Sequence, residues 1–435
     1  MHASGEKKRG TIRPKFNPAI MIDFQGAKIT SDTGFLLLRE IDERFGILGW
    51  IGSELEDTRS WVHSKHSQLQ MIRQRIYQMA AGYEDCNDAD FLRVDPALRL
   101  AIGKGDEAGA GQSRLSRLEN EVLGTEAGLT ALENALTRSN DALMRRKKKG
   151  RLIVDVDSTE DPAHGKQENV RFNGHFGTTC FHPLFAFTSD GDCLGAKLRP
   201  GNVHSAEGIF DLLGPIVQRY RPRFTLFWLR GDAGFAMPEL YEYCERERAT
   251  YFIRLPANQV LYRAIESQLT RPVGRTPKSG IRVKLIDLRY QAQTSDRERR
   301  VVAKIEWHDG ELFPRIGFIV TNSKLPAGKV VKVYNRRGDV ENRIKERKNT
   351  LRWDKTSCHR FSANQARLLM GVLAYNLLHI LRRFYLVGEE VRRSMEWLIK
   401  RLIKVGAKVA YHGRRWYVHV ASAFPLSRYY QSVFG

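Results

Sequence analysis

Apolar residues recur at helical spacing in the first third of the chain. Residues 67–80 (SQLQMIRQRIYQMA) place apolar side chains on one side and arginine and glutamine on the other, a pattern typical of an amphipathic helix. A second helical stretch opens at residues 112–119 (QSRLSRLE), and the charged run at 145–151 (RRKKKGR) closes this part of the chain. We therefore expect a basic arm over residues 1–20 and a mainly helical region over residues 21–150.

Short apolar segments bounded by turn residues replace the helical pattern after residue 150. Residues 152–157 (LIVDVD) form a β-branched run that ends in acid, which favours a buried strand. The elements predicted after it are strands over 180–188 and 193–198, a helix over 205–220, a strand over 224–229, a helix from Pro238 and a strand over 250–254. The order β-β-β-α-β-α-β is that of a ribonuclease-H-like core, whose first part would span residues 151–255.

The pattern returns to strands over residues 256–330, which we interpret as a β-rich insertion. Strands are predicted over 283–290, 299–307 and 315–320. Residues 331–390 should then complete the core with a charged helix and a strongly apolar helix over 364–385. In the C-terminal region, residues 391–435, the segment 408–419 (KVAYHGRRWYVH) predicts a hairpin with a basic turn. The predicted fold class is α/β.

Charge and cysteine content narrow the class of protein. The 435 residues include 71 Lys and Arg against 49 Asp and Glu, a formal net charge of +22, which favours a polyanionic partner such as nucleic acid. An anionic membrane surface is the competing partner, but no apolar run approaches the roughly 20 residues that span a bilayer, and the basic start leads into no signal-peptide core. Five scattered cysteines without a CxxC pair favour a reducing cytoplasm.

A charged segment late in the chain carries a fixed spacing of four functional side chains. The pattern Y-(2)-R-(3)-E-(6)-K comprises Tyr334, Arg337, Glu341 and Lys348. Asp339 is a suitable N-cap, so the segment predicts a helix on which Glu341, Lys345 and Lys348 share one face. A carboxylate among cations suits a metal ligand beside a phosphate backbone. A solvated helix with salt bridges is the alternative interpretation.

Phosphodiester chemistry commonly uses two divalent metal ions about 3.5–4 Å apart, held by carboxylates from separate elements. The candidate ligands are Asp157 at the end of the first strand, Asp232 after the fourth, and Glu341 on the late helix. Asp155 lies on the same strand face as Asp157 and is an alternative first ligand, and Asp232 could serve only as a turn or cap residue. His164 and His182 could also bind metal, although without an HxH or HxxxH pair a structural role is favoured.

The order of these motifs resembles bacterial insertion-sequence transposases of the DDE type, in the subgroup defined by the tyrosine-to-lysine signature. The resemblance runs from about residue 20 to the segment Phe424-Pro425. It includes the blocks 155–162 (DVDSTEDP), 164–167 (HGKQ), 198–203 (LRPGNV) and 229–235 (LRGDAGF). Relatives often place two aspartates where this chain has Glu160-Asp161, a departure that does not affect the three candidate carboxylates.

The resemblance implies a function and a set of partners. Asp157, Asp232 and Glu341 would bind two Mg²⁺ or Mn²⁺ ions for strand cleavage and strand transfer. Tyr334, Arg337 and Lys348 would contact phosphates near the cleaved end. The N-terminal helical region would recognise terminal inverted repeats in double-stranded DNA, target DNA would be the second substrate, and the enzyme would act on DNA as a homodimer in the cytoplasm, associated with the nucleoid. The arginines we expect to contact the repeats are Arg73, Arg75, Arg114 and Arg117.

Three other interpretations remain open. One is a nuclease on the same fold that cleaves DNA without joining it, and the second is a transposase-derived DNA-binding regulator without activity. The presence of all three carboxylates disfavours the regulator. An RNA-binding protein is disfavoured because the sequence has no RNP-type aromatic pair. Trp307 or Tyr290 could stack on a flipped base, but a core aromatic is the favoured interpretation of each.

Overall fold

The computed structural model describes residues 14–17, 19, 21, 27–57, 59, 64–163, 165–274, 277 and 280–435. Most of the predicted basic arm and His164 lie outside the described residues. Within them the chain forms a mixed α/β fold built on one large sheet with helices on both faces. No described helix is both long and apolar enough to cross a membrane.

The first part of the described chain contains one short strand and several helices. Ser67 caps the third helix through a reciprocal capping box with Gln70, which satisfies two backbone N–H groups that the helix end would otherwise leave free. The elements are strand β1 (Ile29–Thr30) and helices α1 (Phe35–Phe45), α2 (Ile51–Glu54), α3 (Gln68–Ala80), α4 (Ala89–Leu92), α5 (Pro96–Ala101), α6 (Gln112–Arg117) and α7 (Glu126–Arg145).

The second part contributes most of the large sheet. Its strands are β2 (Arg151–Ser158), β3 (Asp161–Pro162), β4 (Arg171–Asn173), β5 (Thr178–Phe181), β6 (Leu184–Thr188), β7 (Cys193–Lys197), β8 (Leu226–Gly231) and β9 (Thr250–Leu255). Helices α8 (Ile209–Tyr220) and α9 (Pro238–Arg246) connect them. Strand β2 is antiparallel to β6 and parallel to β8, and β8 is parallel to β9. The carboxyl ends of β2, β8 and β9 therefore lie at one edge of the sheet.

The predicted single strand over residues 180–188 is two strands in the structure. Its first half, β5, pairs with β3 and β4 in a separate small sheet, whereas β6 belongs to the large sheet. Pro183 lies between the two strands. Because proline donates no backbone hydrogen bond, it is a suitable place for the chain to leave one ladder and enter another.

The residues predicted to form a separate insertion extend the large sheet. After helix α10 (Gln259–Ile265), strands β10 (Ile281–Tyr290), β11 (Arg299–His308) and β12 (Arg315–Thr321) form an antiparallel meander. Strand β12 pairs with β9, so the eight strands have the order β10-β11-β12-β9-β8-β2-β6-β7. Apolar residues of β11 consequently belong to the same core as those of β2 and β8.

The last part of the chain includes α13 (Phe361–Tyr385), which packs on the face of the large sheet opposite to α8. It comprises helices α11 (Ala327–Asn335), α12 (Gly338–Leu351), α13 (Phe361–Tyr385), α14 (Met395–Leu398) and α15 (Ser427–Phe434), and strands β13 (Ala407–His412) and β14 (Arg415–Val420). Helix α13 packs against α3, α7 and β7 and is buried over most of its length. The alternation along β6 shows both faces of the sheet: Phe185 and Phe187 pack with α13, while Leu184 and Ala186 pack with α8 and α9.

Candidate active site

Asp155 is sealed inside the sheet by an arginine of the neighbouring strand. Asp155 and Arg230 are direct partners in the parallel β2–β8 ladder. The Nε and Nη2 atoms of Arg230 donate to the two carboxylate oxygens at 2.5 and 2.7 Å, and both side chains are almost fully buried. Arg230 also donates through Nη1 to the backbone oxygen of Val333, 2.8 Å away on α11. Asp155 is therefore fully engaged in holding elements together.

Asp157 lies two residues further along the same strand and has a different environment. Its Oδ1 accepts a hydrogen bond from the backbone N–H of Ser158 at 3.0 Å, and its Oδ2 lies 3.6 Å from Nη1 of Arg337. Burial, followed by the charge of Asp232, raises the pKa of Asp157 to about 7 against the opposing effect of Arg337, and Glu341 adds to the rise. The carboxyl group thus lies within electrostatic range of both other candidate acids.

Asp232 follows the end of β8 and is half-buried. Its Oδ1 accepts a hydrogen bond from the backbone N–H of Gly234 at 2.9 Å, which caps the short helical turn Ala233–Phe235. The cap role considered from the sequence is present, and it engages only one of the two carboxylate oxygens. Because β2 and β8 are adjacent and parallel, Asp157 and Asp232 come from neighbouring strand ends, the edge where sites form in open α/β sheets.

Glu341 and Arg337 lie at the junction of α11 and α12. Helix α11 ends at Asn335 and α12 begins at Gly338, with Arg337 as its N-cap residue and not Asp339 as predicted from the sequence, so Tyr334 and Glu341 are on successive helices. Arg337 Nη2 donates to Glu341 Oε1, and Arg337 Nη1 approaches Asp157. The guanidinium group therefore connects the carboxylates of α12 and β2. The Glu341 side chain is 47% exposed.

Lys348 is the last residue of the signature and is held on α12 against the loop after β2. Its Nζ donates to Thr159 Oγ1 at 3.3 Å, to the Glu160 backbone oxygen at 2.7 Å and to Glu160 Oε1 at 3.1 Å. Lys345, which the sequence places on the same helix face, is exposed. The signature residues thus come together around the carboxyl end of β2, with Lys348 engaged by protein groups in this structure.

A sequence model described as Transposase DDE domain, group 1, matches residues 12–435 of the chain. The chain belongs to this family of DDE transposases. No curated protein sequence matches the chain. Among solved structures, the chain is similar to a piggyBac transposase in a synaptic complex with hairpin DNA, with 11% identity and a TM-score of 0.46 over 85% of this chain and 79% of that chain.

Asp232 of this transposase-family chain borders an open cleft of about 800 Å³. Its lining includes Asp232, Tyr334, Arg337, Arg254, His175 and Phe176. Arg254 was not predicted from the sequence, although it is the penultimate residue of β9, the parallel neighbour of β8, and that position was a usable signal. His175 and Phe176 follow β4 and could not be assigned from their local pattern, because the loop reaches the cleft only through the small sheet.

His182 has the structural role favoured from the sequence. Its Nε2 lies 3.0 Å from Ser158 Oγ, and its Nδ1 lies 3.2 Å from the Val203 backbone oxygen. Burial, with the charge of Arg199 next, lowers the pKa of His182 to about 4. The neutral ring therefore links the end of β2 to the loop after β7.

The four arginines expected to contact terminal repeats fall into two pairs. Arg73 donates to Asp42 at 2.8 Å and to Glu43 at 2.8 Å, and Arg75 is fully buried in an ion pair with Glu119. Neither side chain is available to DNA in this structure, so we withdraw both as contacts. The other two, Arg114 and Arg117, lie exposed on α6 at i, i+3 spacing.

The two aromatic residues considered for base stacking are also resolved. Trp307 is buried in the core beside β12, and its indole N–H donates to the Leu269 backbone oxygen at 3.4 Å. Tyr290 is half-buried at the edge of the same cluster and accepts a hydrogen bond from Asn258 at 2.8 Å. Both therefore pack as core aromatics, the interpretation favoured from the sequence.

The three candidate carboxylates supply the oxygen ligands that Mg²⁺ prefers. Among the residues that the structure describes, no three His, Cys, Asp or Glu side chains are grouped as a ready metal cluster. Asp157 and Asp232 nevertheless fit a cation between them, because each keeps a carboxylate oxygen free of hydrogen bonds from neighbouring protein groups and their charges repel. Glu341 is paired through Oε1 with Arg337, whose guanidinium group now supplies the positive charge beside the acids.

Proposed function

We propose that this chain is an active transposase that cleaves DNA at the ends of its own insertion sequence and joins the freed ends to target DNA. The observation that carries the proposal is the convergence of Asp157, Asp232 and Glu341 at one sheet edge, with Arg337 between two of them. The strand order β7-β6-β2-β8-β9, antiparallel and then parallel, supports a ribonuclease-H-like core for this chemistry.

Asp157 is the first carboxylate of the proposed triad. Asp155 is occupied by a bidentate arginine and by burial, and a carboxylate in that state has no free oxygen for a ligand. Among the described residues, the partners of Asp157 are the Ser158 N–H and a distant guanidinium group. Its position nearer the strand end places it next to Asp232, which satisfies the requirement for carboxylates from separate elements.

The site residues fit two Mg²⁺ or Mn²⁺ ions, with Asp157, Asp232 and Glu341 as the protein ligands. When bound, such ions neutralise charge on the attacking and leaving oxygens of a phosphodiester. In the first reaction the oxygen of water bonds to phosphorus and the bond to the 3′ oxygen breaks, so a 3′-hydroxyl is released. In the second reaction the oxygen of that 3′-hydroxyl bonds to a phosphorus of the target strand. The bond from this phosphorus to its 3′ oxygen breaks, and the target strand is left with a 3′-hydroxyl.

The cations of the signature would change partners when DNA binds. Arg337 is ion-paired with carboxylates, and its buried Nη1 has no hydrogen-bond partner among the residues that the structure describes. A phosphate offers its guanidinium group a bidentate acceptor, so we assign Arg337 to phosphate binding once the carboxylates receive another cation. Tyr334 lines the same cleft, and Lys348 lies against the loop after β2; we propose both as contacts of the same strand.

We propose double-stranded DNA as the partner, with terminal inverted repeats and target DNA as its two forms and a homodimer as the assembled state. The formal charge of +22 supports a polyanionic partner. Exposed Arg114 and Arg117 on α6 remain the candidate contacts of the helical region. Binding that neutralises phosphates should weaken steeply as salt is raised.

The deciding experiment is cleavage of DNA carrying the element's own ends in the presence of Mg²⁺. The wild type is compared with Asp232→Asn and Glu341→Gln, and the matched control is Glu239→Gln, which removes an exposed acid on α9 close to Asp232 in sequence. We expect both site variants to bind the DNA and to lose cleavage by at least about 1,000-fold, because a carboxylate ligand is lost. The control should cleave like the wild type.

The products separate the competing functions. A strand-transfer product with target DNA identifies a transposase, whereas cleavage without joining identifies a nuclease. Tight, end-specific binding without cleavage by the wild type would support the inactive regulator and contradict our proposal. If Asp232→Asn cleaves as fast as Glu239→Gln, the assignment of Asp232 is wrong.

A further inference from the structure

The two strands β13 and β14 form a ribbon that belongs to neither the large sheet nor the cleft. We call residues 407–420 the C-terminal ribbon. Its base is anchored by the N-terminal segment: among the described residues, β1 pairs with Ala407 and Lys408 of β13, and the Val409 backbone N–H donates to the Lys28 carbonyl oxygen at 2.8 Å. Beyond that point the ladder continues with two strands, from the Val409–Val418 pair to His412 and Arg415. Among the described residues, the outer half of the ribbon is therefore two-stranded.

The register gives the ribbon two chemically different faces. Directly opposed residues lie on the same face of a sheet, so Lys408 shares a face with His419, Ala410 with Tyr417, and His412 with Arg415. All of these except Ala410 are exposed. On the other face, Ala407 and Val409 are buried. The ribbon thus directs its apolar residues to the protein and a basic, aromatic face to solvent.

The exposed face also carries ordered rings. Tyr417 stacks on His419 with ring centroids 6.0 Å apart and planes 5° from parallel. On the other face, near the tip, the ring centroids of Tyr411 and Trp416 are 4.7 Å apart, and Trp416 lies close to Gly105 of the helical region. These ring contacts fix the ribbon's side chains without using its cations.

The cations of the ribbon have no acidic partner among the described residues. No Asp or Glu follows Glu396 in the chain, whereas seven Lys or Arg do: Lys400, Arg401, Lys404, Lys408, Arg414, Arg415 and Arg428. Among the described residues, Lys408, Arg414 and Arg415 take part in no ion pair. Asp106, in the neighbouring loop, is already neutralised by Lys28 at 2.8 Å. Most described arginines elsewhere in the chain have an acidic or carbonyl partner. The ribbon differs from them because its cations are available to bind an anion.

The turn at the tip holds an arginine in a conformation that favours glycine. Gly413 and Arg414 have φ angles of 56° and 60°, so both central residues of the turn are left-handed. This geometry suits the twist of a two-residue hairpin, but its second position normally holds glycine. Arg414 therefore adopts a left-handed conformation at some cost in free energy. The result is a cation at the tip of the ribbon.

We propose that the C-terminal ribbon is a DNA-docking surface, with Lys408, Arg414 and Arg415 contacting the phosphates of a duplex. A two-stranded ribbon fits the major groove of B-form DNA, which is about 12 Å wide, and six residues per strand extend roughly 20 Å along it. Exposed Tyr417 and the two histidines supply polar and ring groups to the groove wall. No residue of the ribbon lines the cleft that Asp232 borders. The ribbon would hold the duplex while the cleft receives the strand that is cleaved.

This inference deepens the proposed function, yet it can be tested without cleavage. The test measures anisotropy of a short fluorescein-labelled duplex with the full-length wild type and with Arg414→Gly, Arg415→Gln and the double variant, across roughly 50 to 200 mM salt. Arg414→Gly relieves the left-handed backbone, so loss of binding in that variant cannot be attributed to unfolding. Thermal unfolding of each variant confirms this.

We expect the double variant to bind about tenfold more weakly at low salt and to lower the slope of log affinity against log salt by about two. The charge-matched control is Arg246→Gln/Arg297→Gln, which removes two exposed arginines that are already paired with Glu247 and Asp296. The control should retain the wild-type slope. Equal slopes for the two double variants would overturn the proposal.

Two further outcomes are decisive. If the ribbon variants lose binding to phosphatidylserine vesicles but not to the duplex, the surface is a lipid site and the proposal is wrong. If the wild type binds duplex through the ribbon while neither it nor any variant cleaves, the ribbon assignment stands and the proposed enzymatic function fails. Asp232→Asn should bind the duplex like the wild type, because it leaves the ribbon intact.

Discussion

Replacing Arg230 by methionine would leave a buried carboxylate without its counterion. The Arg230 side chain is 2% exposed and that of Asp155 is fully buried. The substitution removes two charge-assisted hydrogen bonds to Asp155, at 2.5 and 2.7 Å, and one to the Val333 backbone oxygen at 2.8 Å. Methionine retains much of the side-chain volume, so the main change is the loss of charge and of these three bonds.

The expected destabilisation is about 3–5 kcal/mol, the usual cost of removing one partner of a buried ion pair. With an unfolding entropy of about 2.1 cal/mol/K per residue, a chain of 435 residues that unfolds as a unit has about 0.9 kcal/mol/K. The melting temperature should therefore fall by about 4 °C, and by more if only the sheet domain unfolds. Asp155→Asn/Arg230→Met should recover part of the loss, since it removes both charges.

Scanning calorimetry of the wild type, both single variants and the double variant measures this cycle. The control is Arg246→Met, which breaks an exposed pair with Glu247 and should change stability by less than about 1 kcal/mol. If Arg230→Met has the same melting temperature as the control, the ion pair contributes nothing to the free energy of unfolding. If the double variant is as unstable as Arg230→Met alone, the uncompensated charge is not the cause and the reasoning fails.

Two other predictions concern stability away from the cleft. Asp161 has a buried Oδ1 without a hydrogen-bond partner, and burial raises its pKa to about 7; ionisation therefore opposes folding, and the wild type should lose on the order of 1–4 kcal/mol relative to Asp161→Asn between about pH 4 and pH 7. Parallel stability profiles of the two proteins by thermal unfolding would contradict this. Arg352 ends α12 with a φ of 51°, so Arg352→Gly should stabilise by about 0.5–1 kcal/mol in urea unfolding. Arg352→Gln, which keeps the Cβ atom, should not stabilise, and equal effects of the two changes would refute the backbone explanation.

Elements with a strong local pattern were predicted well from the sequence. The capped amphipathic segment became α3, the apolar run at 364–385 became most of α13, and the basic hairpin became β13 and β14. In each of these, the residues that determine the structure are close together in the chain. Apolar spacing and a turn of glycine and arginine were sufficient signals.

The fate of the polar side of α3 could not be predicted from its pattern. Arginine and glutamine on an amphipathic helix normally face solvent, yet Arg75 and Gln78 are fully buried. Arg75 is neutralised by Glu119, which lies 44 residues away in the chain, and no local signal connects the two. The predicted DNA contacts at Arg73 and Arg75 were lost for this physical reason.

The sheet shows the same division between local and long-range information. Strands β10, β11 and β12 were predicted as strands, but their membership of the main sheet depends on the pairing of β12 with β9, across a gap of about 60 residues. The proximity of Asp157 and Asp232 could be anticipated, because parallel neighbouring strands end at one edge. The contact of Arg337 with both Asp157 and Glu341 depends on how α11 and α12 pack, which spacing alone does not give.

The segment that carries Glu341 is fixed to the sheet by three cations that bind backbone carbonyl groups. Arg230 reaches Val333 before the α11–α12 junction, Arg343 donates to the carbonyl of Thr188 at 2.8 Å, and Lys348 donates to that of Glu160 at 2.7 Å. A backbone carbonyl oxygen is present whatever the side chain of that residue is. These hydrogen bonds therefore depend on the backbone positions, and they set the distance between α12 and β2. A change in any one of them would move Glu341 relative to Asp157 while leaving every carboxylate in place. The geometry of the acidic site is therefore determined as much by these basic residues as by the acids.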